Sequence, residues 1–458
     1  MVGIDAIGTY LPGRYVDAQE LAGYRGSRYI GLPQKLGKRK IAVPSWFEDA
    51  ASMAANATRN LLDLSGVSAH EISRVIAVTE TPIDQSRPIS APLHRLLGLR
   101  PETGHCEAKF ACSSVNSALE YAASLVESGF VRDKVLIVAS DISRYERDTP
   151  AEFTEGAGAV AVLFGKDPRL IELDSTFTFY TGDVQDYWRP LGGEEAKTHG
   201  KFSLQSYVKM VLEAYRQSGD RLKYLDHLVF HTPHSLMVRK AFEALLNEER
   251  VEGDRDELFE LMVSPSLQIP SEVGNIYTGS MLLALASLFE AGKLLPDQRI
   301  GFFGYGSSAQ GSFFSGLTKE GVVDMGFGLT EELSRRRKIT PEEFDKIKRG
   351  EQEKYKATIE PTTADGLKFS LCGECSVQLS NVKGLDNCPE GHKVKNEVFM
   401  PEVGKIIKTE KGTPNISAGE VPVDDMYPEG TFVESISGVI DQREGYRFYG
   451  NGYREVLR

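Results

Sequence analysis

Cysteine is scarce in this chain, and its scarcity limits what the cysteines can do. Only five occur in 458 residues, an odd number spread unevenly along the sequence. Such usage is typical of a reducing compartment, in which cysteines are catalytic or metal-bound more often than they are bridged by disulfides. We therefore expect a cytoplasmic protein.

The sequence also lacks long apolar runs and an excess of basic residues. No segment approaches the roughly 18 consecutive apolar residues of a membrane span, and the first residues show no basic region followed by a long apolar stretch. We therefore expect neither a membrane-spanning helix nor a signal peptide. Acidic residues outnumber basic ones by 65 to 53, which argues against a nucleic-acid-binding protein.

Short apolar runs separated by turn signals alternate with helical patterns up to about residue 318. Continuous runs rich in Val, Ile and Phe are typical of buried strands. They occupy residues 74–80, 134–141, 157–165, 225–231 and 299–306. This alternation predicts an α/β protein in which helices cover mainly parallel sheets.

Two stretches of the chain repeat each other. When the sequence from Cys112 is placed on the sequence from Asn275 at a constant offset, the apolar and small residues of the following helices coincide. Earlier in each half, Glu80 and His231 each end an apolar run and precede Thr-Pro. The repeat predicts a duplicated, five-layered α/β/α/β/α body. It would bring a thiol, a carboxylate, an imidazole and an amide to equivalent places.

The repeat divides the chain into three regions. We expect residues 1–170 to form the half with the nucleophile, residues 171–318 to form the second half, and residues 319–458 to form a C-terminal extension. The extension begins with a highly charged stretch at 330–355, which we expect to be helical, with a helix start at Thr340. Short β-like runs follow, and the final residues predict a pair of strands.

Each of the four polar residues has a structural and a functional interpretation. Cys112 precedes a helical segment, where the helix N-terminus would favour thiolate and hold a thioester oxyanion; otherwise it is a small buried residue. Glu80 is a solvated strand end or a base in a cleft. His231 is a structural group or a site residue, and Asn275 is an N-cap or an amide donor. The equivalent positions of these residues at the ends of strands favour the functional interpretation, since ligands of α/β sheets bind at the ends of strands.

Two further segments carry candidate site residues. The segment Gly304-Tyr305-Gly306-Ser307-Ser308 follows an apolar strand and is small enough for close approach of its backbone to a ligand. The segment Cys372-x2-Cys375-x12-Cys388-x3-His392 has three thiols and an imidazole at a spacing that could hold one structural zinc ion. The alternative is a set of incidental cysteines in a surface loop. Cys106 is expected in the core.

These residues occur within longer pieces that resemble 3-hydroxy-3-methylglutaryl-CoA synthases of the thiolase superfamily. The resemblance covers roughly residues 1–318. Its main pieces are GLPQKLGKRKIAVPSWFEDAASMAANA (31–57), VTETPIDQSRP (78–88), KFACSSVNSAL (109–119), VLIVASDISRY (135–145), EFTEGAGAVAVLF (152–164), TGDVQDYWRP (181–190), VFHTP (229–233), GNIYTGS (274–280) and GYGSS (304–308).

The resemblance implies a condensing mechanism with coenzyme A thioesters as substrates and no further cofactor. Cys112 would take an acetyl group from acetyl-CoA, and Glu80 would remove a proton from its methyl group. The resulting nucleophile would add to the ketone of acetoacetyl-CoA, which His231 and Asn275 would position and polarise. Hydrolysis of the enzyme thioester would then release the product. A nearby protonated histidine would lower the pKa of Cys112.

The resemblance also implies supporting residues and an assembly. Asp84, Asp141 and Asp186 stand where aspartates of the family support the site, and Ser307, beside Tyr305, stands where a serine helps to hold the acceptor. Thiolase-like proteins are generally dimers with a sheet that continues across the subunits, so we expect a homodimer.

The chain departs from the family pattern at two positions. Ser113 replaces a Tyr after the nucleophile, which would remove an aromatic wall of the acyl pocket. Leu236 replaces a Lys near the coenzyme A, with Arg239 and Lys240 further on. Alternatives are therefore a condensing enzyme acting on acyl-carrier-protein substrates, as in polyketide β-branching, or an initiating ketoacyl synthase. A non-enzymatic alternative is a scaffold subunit of a zinc-containing acyltransferase assembly.

Overall fold

A computed structural model describes residues 1–45, 48–190, 193–323 and 326–349, together with six short strands beyond residue 368. The strands are β1 (Val2–Tyr10), β2 (Arg14–Asp17), β3 (Lys40–Ala42), β4 (Ile72–Val78), β5 (Gly104–Ala108), β6 (Lys134–Ile142), β7 (Ala157–Lys166), β8 (Ile171–Leu173), β9 (Thr178–Val184), β10 (Tyr187–Trp188), β11 (Lys197–Thr198), β12 (His227–Phe230), β13 (Arg299–Gly306), β14 (Ser308–Thr318), β15 (Arg337–Ile339), β16 (Phe369–Leu371), β17 (Gln378–Ser380), β18 (Phe432–Glu434), β19 (Ile440–Asp441), β20 (Tyr446–Arg447) and β21 (Tyr453–Glu455).

The helices between these strands range from one turn to five. They are α1 (Ala18–Arg25), α2 (Leu32–Leu36), α3 (Ala50–Ser65), α4 (Ser90–Leu96), α5 (Ser114–Glu127), α6 (Gly200–Ser218), α7 (Ser235–Glu248), α8 (Arg255–Met262), α9 (Gln268–Val273), α10 (Ser280–Glu290), α11 (Leu329–Arg335) and α12 (Pro341–Lys348). Cys372, Cys375, Cys388 and His392, the predicted zinc ligands, lie outside the described residues.

The five strands and the main helices that the periodicity predicted are confirmed. The predicted apolar runs coincide with β4, β6, β7, β12 and β13. Helix α3 shows the local signals that set its ends: the Asp49 side chain accepts a hydrogen bond from the Ser52 amide at 2.8 Å, and Gly66 follows the last turn with a φ of +68°. Both features satisfy backbone groups that the helix leaves unpaired.

The main sheet is mixed, so the prediction of mainly parallel sheets was wrong. Its order is β12-β13-β14-β8-β1-β7-β6-β4-β5, and β9 pairs with β14. β4 is parallel to β5 and β6, and β12 is parallel to β13, but the strands between them pair antiparallel. The link from Gly306 at the end of β13 to Ser308 at the start of β14 is far too short for a parallel crossover.

The predicted duplication is visible in the order of the strands. From the junction of β1 and β8 outwards, β1–β7 and β8–β14 are antiparallel, β7–β6 and β14–β13 are antiparallel, and β6–β4 and β13–β12 are parallel. β4 therefore corresponds to β12. Glu80 and His231 follow these two strands, and Cys112 and Asn275 precede α5 and α10.

Alternation of side chains along the strands builds the five layers. Ile76 and Val78 of β4, and Ile300 and Phe302 of β13, belong to one central cluster with α5 and α10. The opposite face of the first half packs on α3, and the opposite face of the second half packs on α6 and α7. Since side chains alternate with period two, α5 and α10 lie between two sheet halves, and the other helices cover the outside.

The charged stretch after residue 318 is less helical than predicted. Helices α11 and α12 are separated by β15, in which Arg337, Lys338 and Ile339 pair in parallel with β2. α12 begins at the predicted point, because Thr340 caps it and exchanges hydrogen bonds with Glu343. Beyond it, β16–β17, β18–β21 and β19–β20 form antiparallel pairs. Across the described part of the chain, no helix combines the length and apolar character needed to cross a bilayer.

Candidate active site

Cys112 lies in a tight turn between β5 and α5, two residues before the helix begins. The Ser113 amide donates to the Phe110 carbonyl at 3.0 Å, and the Ser114 amide donates to the Ala111 carbonyl at 3.3 Å. Ala111 has a φ of +41°, which a residue with a Cβ adopts only where its surroundings hold it, most often at functional sites. In this turn Cys112 is only 8% exposed.

Two glycines of β13 allow that strand to press against the turn of Cys112. A Cβ on Gly306 would lie 2.5 Å from the Ser113 amide nitrogen, and one on Gly304 would lie 2.1 Å from the Asn116 side chain. The close backbone approach that the sequence predicted therefore occurs towards the nucleophile turn. Ser113 is itself fully buried, and its hydroxyl accepts a hydrogen bond from Asn116 at 3.3 Å.

Aromatic residues at positions other than 113 surround Cys112. Tyr145 and Tyr277 pack with Cys112 in one buried cluster, and Tyr187 packs against it. The three rings meet edge to face, with centroids 5.9 to 6.2 Å apart. Aromatic walls beside Cys112 therefore come from these three tyrosines.

The Cys112 thiol donates a hydrogen bond to Oε1 of Glu80 at 2.9 Å. The Tyr187 hydroxyl donates to Oε2 of the same carboxylate at 3.1 Å, and the Arg189 guanidinium donates to the backbone carbonyl of Glu80. Burial raises the pKa of the Glu80 carboxyl, although the Cys112 thiol and the Arg189 charge oppose this effect. A thiol and a base are thus in direct contact inside a buried site.

The prediction of a lowered thiol pKa was wrong. Burial raises the pKa of Cys112 well above its usual value, and the charge of Glu80 raises it further. The group beside the sulfur is a carboxylate, which opposes a second negative charge. Thiolate is therefore formed only when the proton passes to Glu80.

Asp141 holds the segment that carries Glu80. Its Oδ1 accepts hydrogen bonds from the Glu80 amide at 2.7 Å, the Thr81 hydroxyl at 2.9 Å and the Thr79 hydroxyl at 3.1 Å. Its Oδ2 accepts from the Thr278 hydroxyl at 2.5 Å and the Thr278 amide at 3.1 Å. Burial, with the nearby Glu80 charge, raises the pKa of Asp141 to about 7. Asp141 thus joins the ends of β4 and β6 to the turn before α10.

His231 follows β12, and its amide donates to the Phe303 carbonyl at 2.8 Å. The side chain is 2% exposed, and neither ring nitrogen has a hydrogen-bond partner within the described residues. Burial, with the Lys38 charge, lowers the pKa of His231 to about 3. The imidazole is neutral, so the predicted protonated histidine was wrong. Two unpaired buried ring nitrogens suit a polar ligand in the cavity.

Asn275 precedes α10 and is 2% exposed. Its Oδ1 accepts hydrogen bonds from the Ser280 hydroxyl at 2.7 Å and the Tyr277 amide at 2.9 Å. Its Nδ2 lies 3.5 Å from the Tyr145 hydroxyl. The side-chain oxygen is already bonded to groups of its own turn, so the amide nitrogen faces the tyrosine cluster. This orientation fits the predicted role of Asn275 as a hydrogen-bond donor.

Asp186 is fully buried and fixes the far wall of the site. It accepts hydrogen bonds from the Tyr305 hydroxyl at 2.6 Å, the Ser203 hydroxyl at 2.8 Å and the Ser308 amide at 3.1 Å. Asp84 lies apart from this group. It is exposed, and its carboxylate caps a local turn by accepting from the amides of Ser86 and Arg87.

One cavity of about 730 Å³ joins these groups, a volume that suits a thioester chain. Of the predicted site residues, it is lined by Cys112, His231, Asn275, Tyr305 and Ser307. Glu80 reaches the cavity through its contact with Cys112, and Asp141 and Asp186 support its walls. Leu236, Lys197 and Lys201 also line it.

The sequence did not single out Tyr145, Tyr187, Tyr277 or Arg189 as site residues. Tyr187 and Arg189 follow Asp186 in the stretch TGDVQDYWRP, which was noted only for its resemblance. The sequence signal that could have identified them was an aromatic residue and a cation directly after Asp186, a candidate site residue.

Cys106 was expected in the core, but it is exposed on β5. Among the described residues, no group of three or more metal-binding side chains could hold a metal ion.

The layered fold and the cavity with its paired thiol and carboxylate define the class of thiolase-like, acyl-transferring condensing enzymes. Residues 1–169 match the family model for the N-terminal part of hydroxymethylglutaryl-coenzyme A synthases, and residues 255–369 match the model for the C-terminal part. The chain belongs to the hydroxymethylglutaryl-CoA synthase family.

Relatives of two kinds resemble the chain. The hydroxymethylglutaryl-CoA synthase of Enterococcus faecalis is 33% identical over 81% of this chain and 96% of its own. The polyketide biosynthesis 3-hydroxy-3-methylglutaryl-ACP synthase PksG of Bacillus subtilis is 32% identical over 76% of this chain and 88% of its own.

Solved structures show the same two kinds. MvaS in complex with 3-hydroxy-3-methylglutaryl coenzyme A superposes with a TM-score of 0.71 at 28% identity, covering 83% of this chain and 99% of that one. The curacin-pathway HMG synthase in complex with holo donor-ACP has a TM-score of 0.71 at 30% identity, covering 76% and 88%. These likenesses confirm the predicted thiolase-like fold.

Proposed function

We propose that the chain condenses an acetyl group carried on Cys112 with acetoacetyl-CoA to give 3-hydroxy-3-methylglutaryl-CoA. The observation that carries this proposal is the 2.9 Å contact between the Cys112 thiol and the Glu80 carboxylate at a cavity large enough for both acyl chains. Membership of the hydroxymethylglutaryl-CoA synthase family supports the same reaction.

Acetyl transfer is the first step. The Cys112 sulfur attacks the acetyl-CoA carbonyl while its proton passes to Glu80, the carbon–sulfur bond to coenzyme A breaks, and the proton leaves with the coenzyme A thiol. Forming a covalent thioester divides a difficult condensation into two easier steps. The raised thiol pKa makes this transfer to Glu80 necessary.

Carbon–carbon bond formation is the second step. Glu80, now ionised again, removes a proton from the methyl group of the acetyl-enzyme. The carbanion adds to the ketone carbon of acetoacetyl-CoA, and the ketone oxygen takes up the proton that Glu80 removed, which leaves Glu80 ionised. The buried setting that raises the pKa of Glu80 strengthens it as a base. Water then hydrolyses the thioester on Cys112 and frees the product.

His231 and Asn275 are the residues that we assign to the acceptor. The neutral ring of His231 has two unpaired nitrogens in the described structure, and one of them carries a proton that can be donated to a carbonyl. The Asn275 amide nitrogen is a second donor on the same cavity. Donors aimed at a developing oxyanion in a water-poor site lower the barrier for addition.

The test is incubation of the full chain with acetyl-CoA and acetoacetyl-CoA, following loss of the acetoacetyl enolate absorbance and the mass of the protein. We expect one acetyl group on Cys112 and consumption of acetoacetyl-CoA. The Cys112→Ala variant should show neither. Acetylation of the variant to the same extent as the wild type would exclude the proposal.

The second candidate function uses acyl groups presented by an acyl carrier protein. Leu236 lines the cavity where the family pattern has a lysine, and Arg239 and Lys240 already pair with Glu243 at 3.1 and 2.9 Å. The likeness to PksG favours the same candidate. Rates measured with acetyl-CoA and with acetyl carrier protein decide between them: the physiological donor is the one with the higher kcat/KM.

Two alternatives from the sequence are less well supported. An initiating ketoacyl synthase needs no base such as Glu80, whereas here Glu80 contacts the nucleophile. A scaffold subunit needs no such contact either. The Glu80→Ala variant separates the ketoacyl synthase from the leading proposal, because only a ketoacyl synthase would keep full activity.

We also propose a homodimer that forms through β5. This strand pairs only with β4 among the described strands, and its Cys106 and Glu107 are exposed, whereas β12 at the other edge is buried. An exposed edge strand is ready to pair with a second copy. The expected mass in solution scattering is that of two chains, and a monomer mass would contradict it.

A structural zinc ion on Cys372, Cys375, Cys388 and His392 remains our proposal from their spacing. Metal analysis of the purified chain should give about one zinc per chain, and the Cys372→Ser variant should give less. A zinc content near zero in a folded protein would exclude the site.

Free thiols at Cys106 and Cys112 support the proposed cytoplasmic location, where such thiols stay reduced.

A further inference from the structure

Lys348 lies on α12, outside the two halves of the fold, but it contacts the backbone of a cavity residue. Its Nζ donates to the Tyr145 carbonyl at 3.0 Å and to the carboxylates of Glu155 and Glu152 at 2.8 and 3.1 Å. The lysine side chain is only 9% exposed, and the two carboxylates are 4% and 0% exposed. A buried lysine with three acceptors is held in one position.

Glu155 closes the contact on the other side of Tyr145. The Tyr145 amide donates to Oε1 of Glu155 at 2.6 Å, and the same oxygen accepts the Lys348 ammonium. The backbone of Tyr145 is therefore fixed at its amide through Glu155 and at its carbonyl through Lys348. Loss of Lys348 would release the carbonyl and leave Glu155 without its nearest cation.

The Tyr145 side chain carries this positioning into the reaction site. Its ring packs with Cys112 and lies edge to face with Tyr277 at 5.9 Å. Its hydroxyl is 3.5 Å from the Asn275 amide nitrogen, the donor that we assign to the acceptor carbonyl. Movement of Tyr145 would therefore displace a partner of the acceptor's donor Asn275, whereas Tyr145 takes no part in the hydrogen bond between Cys112 and Glu80.

Other charges fix α12 but do not reach Tyr145. Asp345, one turn before Lys348, accepts hydrogen bonds from Arg25 of α1 and from Arg147. Arg25 also binds Glu152 at 2.8 Å. The charged groups that face Glu155 are thus Lys348 from α12 and Glu152 from its own segment. Burial raises the pKa of Glu155 to about 7, and the Lys348 ammonium opposes that rise.

We propose that Lys348 is a positioning residue for the condensation step, which holds Tyr145 against Asn275 and makes the C-terminal extension part of the acyl pocket. This inference rests on the proposed function. The competing explanation is an ion pair that only stabilises the fold. The two explanations differ in whether acetylation and condensation are affected separately.

The experiment compares the Lys348→Met, Lys348→Arg and Lys346→Met variants of the full chain. Lys346 lies on the same helix and is exposed, so its variant removes the same charge without the contacts. For each protein we would measure the rate of Cys112 acetylation, kcat and KM for acetoacetyl-CoA, and the folded fraction by thermal unfolding.

We expect Lys348→Met to acetylate at close to the wild-type rate and to lose about tenfold or more in the condensation rate, since small misplacements of site residues have effects of that size. Lys348→Arg should recover most of the rate, and Lys346→Met should match the wild type. A loss that is equal for acetylation and condensation and follows the folded fraction would overturn the proposal, as would no loss.

The pH dependence of the condensation rate gives a second readout. If Lys348 only stabilised the fold, Lys348→Met would leave this pH dependence unchanged. Without Lys348, the pKa of Glu155 rises further, so the acid limb of the condensation rate should move to higher pH by about one unit. The Lys348→Met/Glu155→Gln double variant has no carboxyl at this position, so its profile should no longer show the displaced limb; a limb that stays displaced would contradict the role of Glu155. If the wild type fails to condense, the proposed function fails instead.

Discussion

The sulfur of Cys112 and the nearest carboxylate oxygen of Glu80 lie 2.9 Å apart, so in the mechanism that we propose one base faces both protons that must move. The first is the thiol proton, which cannot leave unaided because burial and Glu80 raise the pKa of Cys112. The second is a methyl proton of the acetyl group, which occupies the space beside the sulfur after acetylation. We therefore propose that the same carboxylate serves both steps.

Replacing this base should separate the two steps. In Glu80→Gln, the group that takes the thiol proton is gone and burial still raises the pKa of Cys112, so acetylation should slow at neutral pH and persist only at alkaline pH, where hydroxide removes the proton. Condensation has no base and should fall by about 10³, within the range for loss of a general base. Protein mass reports the first step and enolate absorbance reports the second. Condensation at the wild-type rate would show that another group removes the methyl proton.

A methyl group at Gly306 should displace the nucleophile turn. The new Cβ would meet the Ser113 amide at 2.5 Å and the Phe110 carbonyl at 2.8 Å, and neither backbone atom can move without moving Cys112. We expect Gly306→Ala to slow acetylation of Cys112 by about tenfold or more and to lower stability by about 2 kcal/mol.

The matched control for this substitution is Gly23→Ala. Gly23 lies in α1, and a Cβ there would have no neighbour within 4 Å. Its replacement should leave acetylation unchanged and stabilise the helix slightly, because alanine has the higher helix propensity. Equal acetylation rates in Gly306→Ala and the wild type would mean that the contact with β13 does not position Cys112.

The sequence predicted the residues that local patterns mark. Glu80, Cys112, His231 and Asn275 each stand at the end of an apolar run or before a helical pattern, and the duplication repeats these positions in both halves. The structure places Cys112, His231 and Asn275 on one cavity, and Glu80 contacts Cys112. The strands and the layers followed from the same periodicity, since alternating apolar residues determine which face is buried.

Contacts between distant parts of the chain could not be predicted in this way. Tyr187 reaches Glu80 across 107 positions, and Lys348 reaches Tyr145 across 203; no local pattern connects them. The protonation states were mistaken for a related reason. The pKa of Cys112 depends on which charge lies beside the sulfur, and only the folded arrangement places Glu80 there and leaves His231 neutral.

Lys38 should be a source of instability that depends on pH. It is 2% exposed, its Nζ donates to the Pro270 carbonyl at 3.1 Å, and burial lowers its pKa to about 7. The unfolded chain binds the ammonium proton of Lys38 more tightly than the folded chain does. The loss of stability caused by Lys38 is therefore complete below pH 7 and disappears as the pH rises towards 10.5, the ordinary pKa of lysine.

Lys38→Met should therefore raise the free energy of unfolding, by about 2 kcal/mol at pH 6 and by much less at pH 10. Urea unfolding at both pH values measures the difference. Lys35→Met, at an exposed lysine of α2, is the control and should have little effect at either pH. A gain that is the same at pH 6 and pH 10 would show that Lys38 is not buried as an ammonium group.

Lys201 should contribute more to binding of the thioester carrier than the two cations that the sequence suggested. Lys201 lines the cavity and is exposed, whereas Arg239 and Lys240 pair with Glu243 on α7. We expect coenzyme A to bring its phosphate groups to the cavity mouth, where an exposed cation near a phosphate is worth up to about 1 kcal/mol.

Lys201→Ala should therefore raise KM for acetoacetyl-CoA by about fivefold and leave kcat nearly unchanged, because the contact is made equally before and during the reaction. Lys240→Ala is the matched control and should leave both constants unchanged. An equal rise in KM for the two variants would place the phosphates on α7. Repeating the measurement with an acyl carrier protein identifies the phosphate: KM rises for both carriers if Lys201 binds the phosphate next to pantetheine, and only for coenzyme A if it binds the nucleotide.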